Sequence, residues 1–100
     1  MITTKQRAYL RSLGSTMSPI FQIGKGGIEE NFLIQVKQAL EARELIKIKV
    51  LENSGLDTRE ASDMICKAVG CEGIQAIGNK IVLYKQSSNL KKRKIELPTK

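Results

Sequence analysis

A glycine-rich segment is the feature of this sequence best suited to chemistry. It consists of Gly24, Lys25, Gly26 and Gly27, between a short apolar run and a stretch with helical spacing. Glycines let a ligand approach the backbone closely, and the first amides of a following helix are unpaired and lie at the positive end of its dipole. Lys25 adds a full positive charge. The segment could therefore bind an anion such as a phosphate group.

The spacing of this segment excludes two familiar phosphate-binding motifs. The dinucleotide fingerprint needs G-x-G-x-x-G, and the P-loop ends in G-K-S or G-K-T, and this segment has neither pattern. A lone G-x-x-G string is also typical of a tight strand-to-helix turn that binds nothing. Glu29 and Glu30 follow the segment and would repel a phosphate placed too near, so we expect any contact from the loop side.

Apolar residues at helical spacing predict three helices that would position this segment. A capping box of Thr3 and Gln6 starts the first helix, and Gly14 is expected to end it in a left-handed conformation. Asp57 and Gly70 are expected to bound the third helix in the same way. The predicted helices span residues 4–13, 28–43 and 58–69.

Short β-branched runs predict four strands, which span residues 20–23, 45–50, 74–77 and 80–85. Gly78 and Asn79 separate the last two and predict a tight hairpin of type II′ or I′. The order α-β-α-β-α-β-β predicts a single α/β domain with a four-stranded mixed sheet packed against helices. The last strand is apolar on both faces, and whether the first helix covers the second face stays open.

The net charge of +7 is unevenly distributed along the chain. Residues 1–28 carry +4, residues 29–79 carry −3 and residues 80–100 carry +6. This asymmetry predicts a face that meets a polyanion. A merely solubilising surface is the alternative.

The composition argues against several classes of function. There is no histidine and no recognisable acid–nucleophile set. We therefore expect that the protein is not an enzyme and that it binds no cofactor, metal or small-molecule substrate. The longest apolar run, residues 81–84, is far short of the ~20 residues of a membrane span, and the N-terminus lacks a secretory pattern. We expect a cytoplasmic protein without membrane contact. Cys66 and Cys71 are interpreted as reduced, small apolar residues, with a regulatory disulfide or a metal site as alternatives.

Six ordered segments run through nearly the whole chain: TKQR at 4–7, GKGGI at 24–28, QALE at 38–41, ELIKIK at 44–49, QAIGNKIVLYK at 75–85 and RKIELP at 93–98. Together they resemble the bacterial single-domain CRM proteins, the YhbY-like group named for chloroplast RNA splicing and ribosome maturation.

The resemblance implies a fold similar to the C-terminal domain of translation initiation factor three. It also implies an RNA-binding G-x-x-G loop, in which Gly24 and Gly27 are the motif glycines, and an association with precursors of the large ribosomal subunit. The chain has only four aromatic residues, so we expect contacts to the RNA backbone to dominate over base stacking.

We therefore expect an RNA-binding protein whose partner is ribosomal RNA of the large subunit or its precursor. The expected organisation is an RNA-binding domain over residues 1–85 and a basic, mobile tail over residues 86–100. A basic protein-interaction module without a primary RNA role is the alternative, and charge alone would also permit DNA binding. Beyond the glycine segment, the expected RNA-binding residues are Lys5, Arg7, Arg11, Lys91, Lys92, Arg93 and Lys94.

Overall fold

Three helices and four strands alternate along the chain in the predicted order. The structure is a computed structural model that describes residues 2–88 and Ile95. A short 3₁₀ helix, which the sequence did not predict, follows the second strand at Glu52–Ser54. The helices are α1 (Thr4–Gly14), α2 (Glu30–Arg43) and α3 (Thr58–Val69), and the strands are β1 (Phe21–Ile23), β2 (Leu45–Val50), β3 (Glu72–Ile77) and β4 (Lys80–Tyr84).

The strands form one mixed sheet in the order β1-β2-β4-β3. β1 pairs parallel to β2, and β4 pairs antiparallel to both β2 and β3. The β3–β4 hairpin turns at Gly78, whose φ is +60°, while Asn79 is not left-handed; this combination is that of a type II′ turn. The predicted four-stranded mixed sheet with packed helices is confirmed.

Helices cover both faces of this sheet. The larger cluster joins α2 and α3 to one face, where Leu40, Ile65 and Ile81 are fully buried. The smaller cluster joins Leu10 of α1 to Val82 on the opposite face. The first helix thus covers part of the second face, which settles the point that the sequence left open.

Two helix-terminal glycines behave differently from each other. Gly70 ends α3 in the predicted left-handed conformation, with φ +76°. The prediction for Gly14 was wrong, because α1 ends through a right-handed Ser15. A Cβ atom on Gly14 would lie 2.9 Å from Cγ1 of Val82, so this glycine allows α1 to approach the sheet closely.

The predicted start of α1 is confirmed at atomic detail. The Gln6 amide donates to the Thr3 hydroxyl at 3.1 Å, and the Thr3 amide donates to the Gln6 side chain at 2.9 Å. At the start of α3, the Asp57 carboxylate accepts a hydrogen bond from the Glu60 amide. These caps satisfy amides that the helices themselves cannot pair.

A buried carboxylate at the end of α2 holds the chain that follows β4. Glu44 is 0% exposed and has a left-handed φ of +66°. One of its oxygens accepts a hydrogen bond from the Ser87 amide at 2.8 Å, and the other accepts one from the Ile95 amide at 3.0 Å. One turn earlier, Glu41 accepts hydrogen bonds from Ser87 and Ser88.

The proposed division into a domain over 1–85 and a tail over 86–100 remains a prediction. Ser87 is buried, and Ile95 packs against the smaller cluster, so contacts with the domain continue past residue 85. The predicted basic residues Lys91, Lys92, Arg93 and Lys94 lie outside the described residues.

We predict that Glu44→Ala lowers the free energy of unfolding by about 2 kcal/mol, because it removes the acceptor of two backbone donors, one of them buried. Glu41→Ala is the matched control and should cost less than about 1 kcal/mol, because the Ser88 donors are exposed and can bond water, and the Ser87 hydroxyl, unlike a backbone amide, can rotate away. Urea unfolding of both variants measures the difference. Equal losses would contradict a special role for Glu44.

Candidate nucleic-acid interface

The glycine segment forms a tight turn between β1 and α2. The Gly27 amide donates to the Gly24 carbonyl at 2.9 Å, which closes the turn and leaves Lys25 and Gly26 exposed at its tip. The helix that follows has Glu29 at its N-terminal cap, without a side-chain hydrogen bond to the helix amides. The tip therefore presents an exposed lysine in the turn that precedes the positive end of α2.

The two motif glycines serve different physical purposes. Gly27 has a φ of +69°, a conformation that costs other residues about 1–2 kcal/mol. Gly24 is not left-handed, and a Cβ atom there would meet Leu51 and Asn53 at ordinary contact distances of 3.7 and 3.8 Å. The turn itself thus requires glycine only at its last position.

A shallow groove of about 300 Å³ runs beside the turn. The carboxylate of Glu29 lies over the turn, 2.5 Å from where a Cβ atom of Gly26 would be. Its negative charge opposes the approach of an anion to Gly26, as expected from the sequence for a phosphate placed too near. The groove is lined by Gly24, Gly26, Gly27, Glu29, Asn31, Phe32 and Gln35.

Asn31 and Gln35 are candidate site residues that sequence reasoning missed. They lie four residues apart on α2, so both can reach the same groove beside the turn. They could have been recognised in the sequence as two side-chain amides, four residues apart, on the helix that directly follows the glycine segment. Phe32 is anchored by an edge-to-face contact with Phe21 at 5.8 Å between ring centroids.

The predicted cations of α1 are not gathered around the glycine turn. Arg7 forms an ion pair with Glu72 at 3.3 Å and donates to the Gly73 carbonyl, at the first residues of β3. This position is at the opposite end of the sheet from Gly24, since β1 ends beside the end of β2 and the start of β3 pairs with the end of β4.

The other two cations of α1 are less constrained. Lys5 is exposed. Arg11 borders a groove along β3 and shares it with Arg59 of α3. Of the predicted α1 residues, Arg7 therefore has an evident structural role, whereas Lys5 and Arg11 remain available for a ligand.

Two further lysines lie side by side at the glycine end of the sheet. Lys49 of β2 is directly opposite Lys80 of β4, and Gln22 of β1 is opposite Lys49 on its other side. Like charges at directly opposed positions destabilise a sheet. Neither lysine forms an ion pair with a residue that the structure describes. We call Lys49 and Lys80 the lysine pair.

The sequence analysis did not select this pair as binding residues. Nothing along the chain brings residue 49 next to residue 80. Only the strand order places them together, because β4 inserts beside β2.

Within residues 2–88 and Ile95, no helix is both long and apolar enough to cross a membrane. The same residues contain no group of three or more potential metal ligands of the histidine, cysteine, aspartate or glutamate type.

This geometry defines a class of protein: a small α/β domain with a glycine turn where a strand leads into a helix. The chain belongs to the CRS1/YhbY (CRM) domain family, which matches residues 2–85.

Relatives from several bacteria resemble the chain over their whole length. It is 47% identical to the Bacillus subtilis protein named "Probable RNA-binding protein YqeI", across 98% of this chain and 100% of the relative. It is 36% identical to a Haemophilus influenzae "RNA-binding protein", across 99% and 97% of the two chains.

A solved structure supports the same relationship. The solution structure of the Staphylococcus aureus hypothetical protein SAV1595, described as a candidate RNA-binding protein, matches with a TM-score of 0.78 and 48% sequence identity. The match covers 98% of this chain and 100% of that one.

We predict that Gly27→Ala destabilises the protein by about 1–2 kcal/mol, because alanine must adopt the left-handed φ of the turn. Gly24→Ala should leave the free energy of unfolding within about 0.5 kcal/mol of the wild type, since neither its backbone nor its surroundings exclude a methyl group. Thermal or urea unfolding of both variants compares them. Equal stabilities would show that the turn tolerates a side chain at Gly27.

Proposed function

We propose that this chain binds RNA through the glycine turn and the lysine pair. The observation that carries this proposal is the exposed turn before α2, with Lys25 at its tip, in a member of a family whose relatives are named as RNA-binding proteins. The left-handed Gly27 shapes this turn, and the open space where its side chain would be lets a sugar-phosphate backbone come close. This is the role that the G-x-x-G loop of KH domains has.

The lysine pair supports this proposal through its electrostatics. Two lysines at directly opposed strand positions, with no ion-pair partner among the described residues, are unfavourable in the free protein, and a phosphate bound between them would remove that cost. Gln22 and the groove residues Asn31 and Gln35 could add hydrogen bonds to phosphate or sugar oxygens. Contacts of this kind position RNA without reading its sequence.

The remaining predicted cations are assigned secondary roles. Lys5, Arg11 and the run Lys91–Lys94 would add electrostatic attraction. Arg7 would act mainly by holding α1 to β3. Because Ser87 is buried, replacing the basic run with glutamine tests its charge more cleanly than truncating the chain after Gln86.

The partner that we propose is ribosomal RNA of the large subunit or its precursor, in the cytoplasm and without catalysis. The support is the resemblance to the YhbY-like group together with the excess of positive charge. Gradient sedimentation of cell lysate tests this directly. Comigration of the protein with large-subunit precursors is expected, and comigration with RNA-free protein complexes would instead indicate a protein-interaction module.

We predict that Lys25→Glu weakens RNA binding by about 1–3 kcal/mol, through loss of a charge-assisted contact and added repulsion. Its free energy of unfolding should change by no more than about 0.5 kcal/mol, because the side chain is exposed at the tip of the turn. Binding titrations beside thermal melts measure both effects.

The control for this variant is Lys67→Glu. Lys67 is exposed in the last turn of α3, at the other end of the sheet, and the change in net charge is identical. Equal losses of affinity in the two variants would show that only net charge matters, and full binding by Lys25→Glu would show that the RNA lies elsewhere.

We predict that the double variant Lys49→Gln/Lys80→Gln binds RNA more weakly but folds no less stably. Relief of like-charge repulsion should raise the free energy of unfolding by about 0.2–0.5 kcal/mol, whereas loss of two phosphate contacts should reduce the slope of log affinity against log salt by about 1.5. Lys37→Gln/Lys67→Gln changes two exposed helical lysines and is the control. An unchanged slope in the first variant would remove the lysine pair from the interface.

A further inference from the structure

Two thiols lie side by side, away from the glycine turn. Cys66 is in the last turn of α3, and Cys71 follows that helix directly. The left-handed Gly70 reverses the chain and brings the two sulfur atoms to 3.6 Å from each other. We propose that Cys66 and Cys71 are a modification site, which a hydroperoxide converts into a reversible intramolecular disulfide.

Both thiols can be reached by a small oxidant, because each is only partly buried and borders an open groove. Cys66 borders a groove of about 480 Å³ between α1, α3 and β3. Gly73 widens the space beside it, since a Cβ atom on that residue would lie 3.4 Å from the Cys66 sulfur. Cys71 borders a second groove of about 380 Å³.

The surroundings of Cys66 favour its thiolate. The Cys71 thiol donates a hydrogen bond to it and lowers its pKa to about 7, and Ser62 acts in the same direction. Partial burial and the charges of Asp63 and Glu72 oppose this effect without cancelling it. Thiolate is the reactive form of cysteine, so Cys66 is suited to be the attacking group.

The surroundings of Cys71 have the opposite effect. Its hydrogen bond to Cys66, its burial and the negative charge of the Cys66 thiolate raise the pKa of Cys71, while a backbone hydrogen bond and the charge of Lys85 oppose this rise without cancelling it. Cys71 therefore keeps its proton until the first sulfur has reacted. It is then placed to act as the resolving thiol.

The chemistry balances in two steps. The Cys66 thiolate attacks one oxygen of the hydroperoxide, the O–O bond breaks, and the departing alkoxide or hydroxide takes a proton; Cys66 becomes a sulfenic acid. The Cys71 sulfur then attacks the Cys66 sulfur, and the sulfenic oxygen leaves as water with the Cys71 proton. Two thiols are oxidised, one peroxide is reduced, and a small dithiol reverses the change.

The small ring that forms suits a reversible link better than a structural one. The sulfur atoms must move from 3.6 Å to a bond of about 2.05 Å, which is a small displacement. A ring that encloses only residues 67–70 between the cysteines constrains the unfolded chain less than a long loop would. The link would join the end of α3 to the segment that holds Arg7 at β3.

The test uses the full chain, reduced, with one equivalent of hydrogen peroxide and a metal chelator, followed by maleimide labelling and intact mass measurement. The expected product is a monomer that is lighter by two hydrogen atoms, takes up no maleimide and is restored by dithiothreitol. A product that still takes up two maleimides, or that is a disulfide-linked dimer, would overturn the proposal.

Matched single variants test the assigned roles. Cys71→Ser keeps a hydrogen-bond donor beside Cys66, so it should accumulate a sulfenic acid that dimedone traps. Cys66→Ser should react with peroxide at least about tenfold more slowly at pH 7. Peptide mapping of partly alkylated wild type checks the same order without any variant, and equal labelling of the two cysteines would contradict it.

Discussion

The burial of β4 on both of its faces is the constraint that organises this domain. Ile81, Val82, Leu83 and Tyr84 are all buried, in the interior of the sheet between β2 and β3. Such a strand needs apolar cover on two sides. α2 and α3 supply it on one face, and α1 supplies it on the other, where Gly14 permits close contact with Val82.

This arrangement divides the domain into two ends with different chemistry. At one end, β1 leads into the glycine turn, and the lysine pair lies on neighbouring strands. At the other end, carboxylates have partners: Glu72 pairs with Arg7, and Glu44 accepts backbone hydrogen bonds. The lysine pair has no ion-pair partner among the described residues, whereas these two carboxylates have partners, and this difference fits the proposed contact of the first end with a polyanion.

Much of the fold could be predicted from the sequence because helix caps, apolar spacing and terminal glycines depend only on neighbouring residues. The Thr3 capping box, the apolar spacing of α3 and the left-handed Gly70 each depend on residues within one or two turns. The role of Gly14 could not be predicted in this way, because a glycine near a helix end can either terminate the helix or let the helix approach a sheet closely. Its role was set by Val82, which is distant in sequence.

The sequence by itself determined the element order, the glycine turn and the family resemblance, because these follow from neighbouring residues. Only the tertiary structure decided which distant groups meet: Lys49 with Lys80, Arg7 with Glu72, and Glu44 with Ser87. The physical reason is that strand order and helix placement minimise exposed apolar surface over the whole chain. Polar side chains then acquire partners that no local pattern encodes.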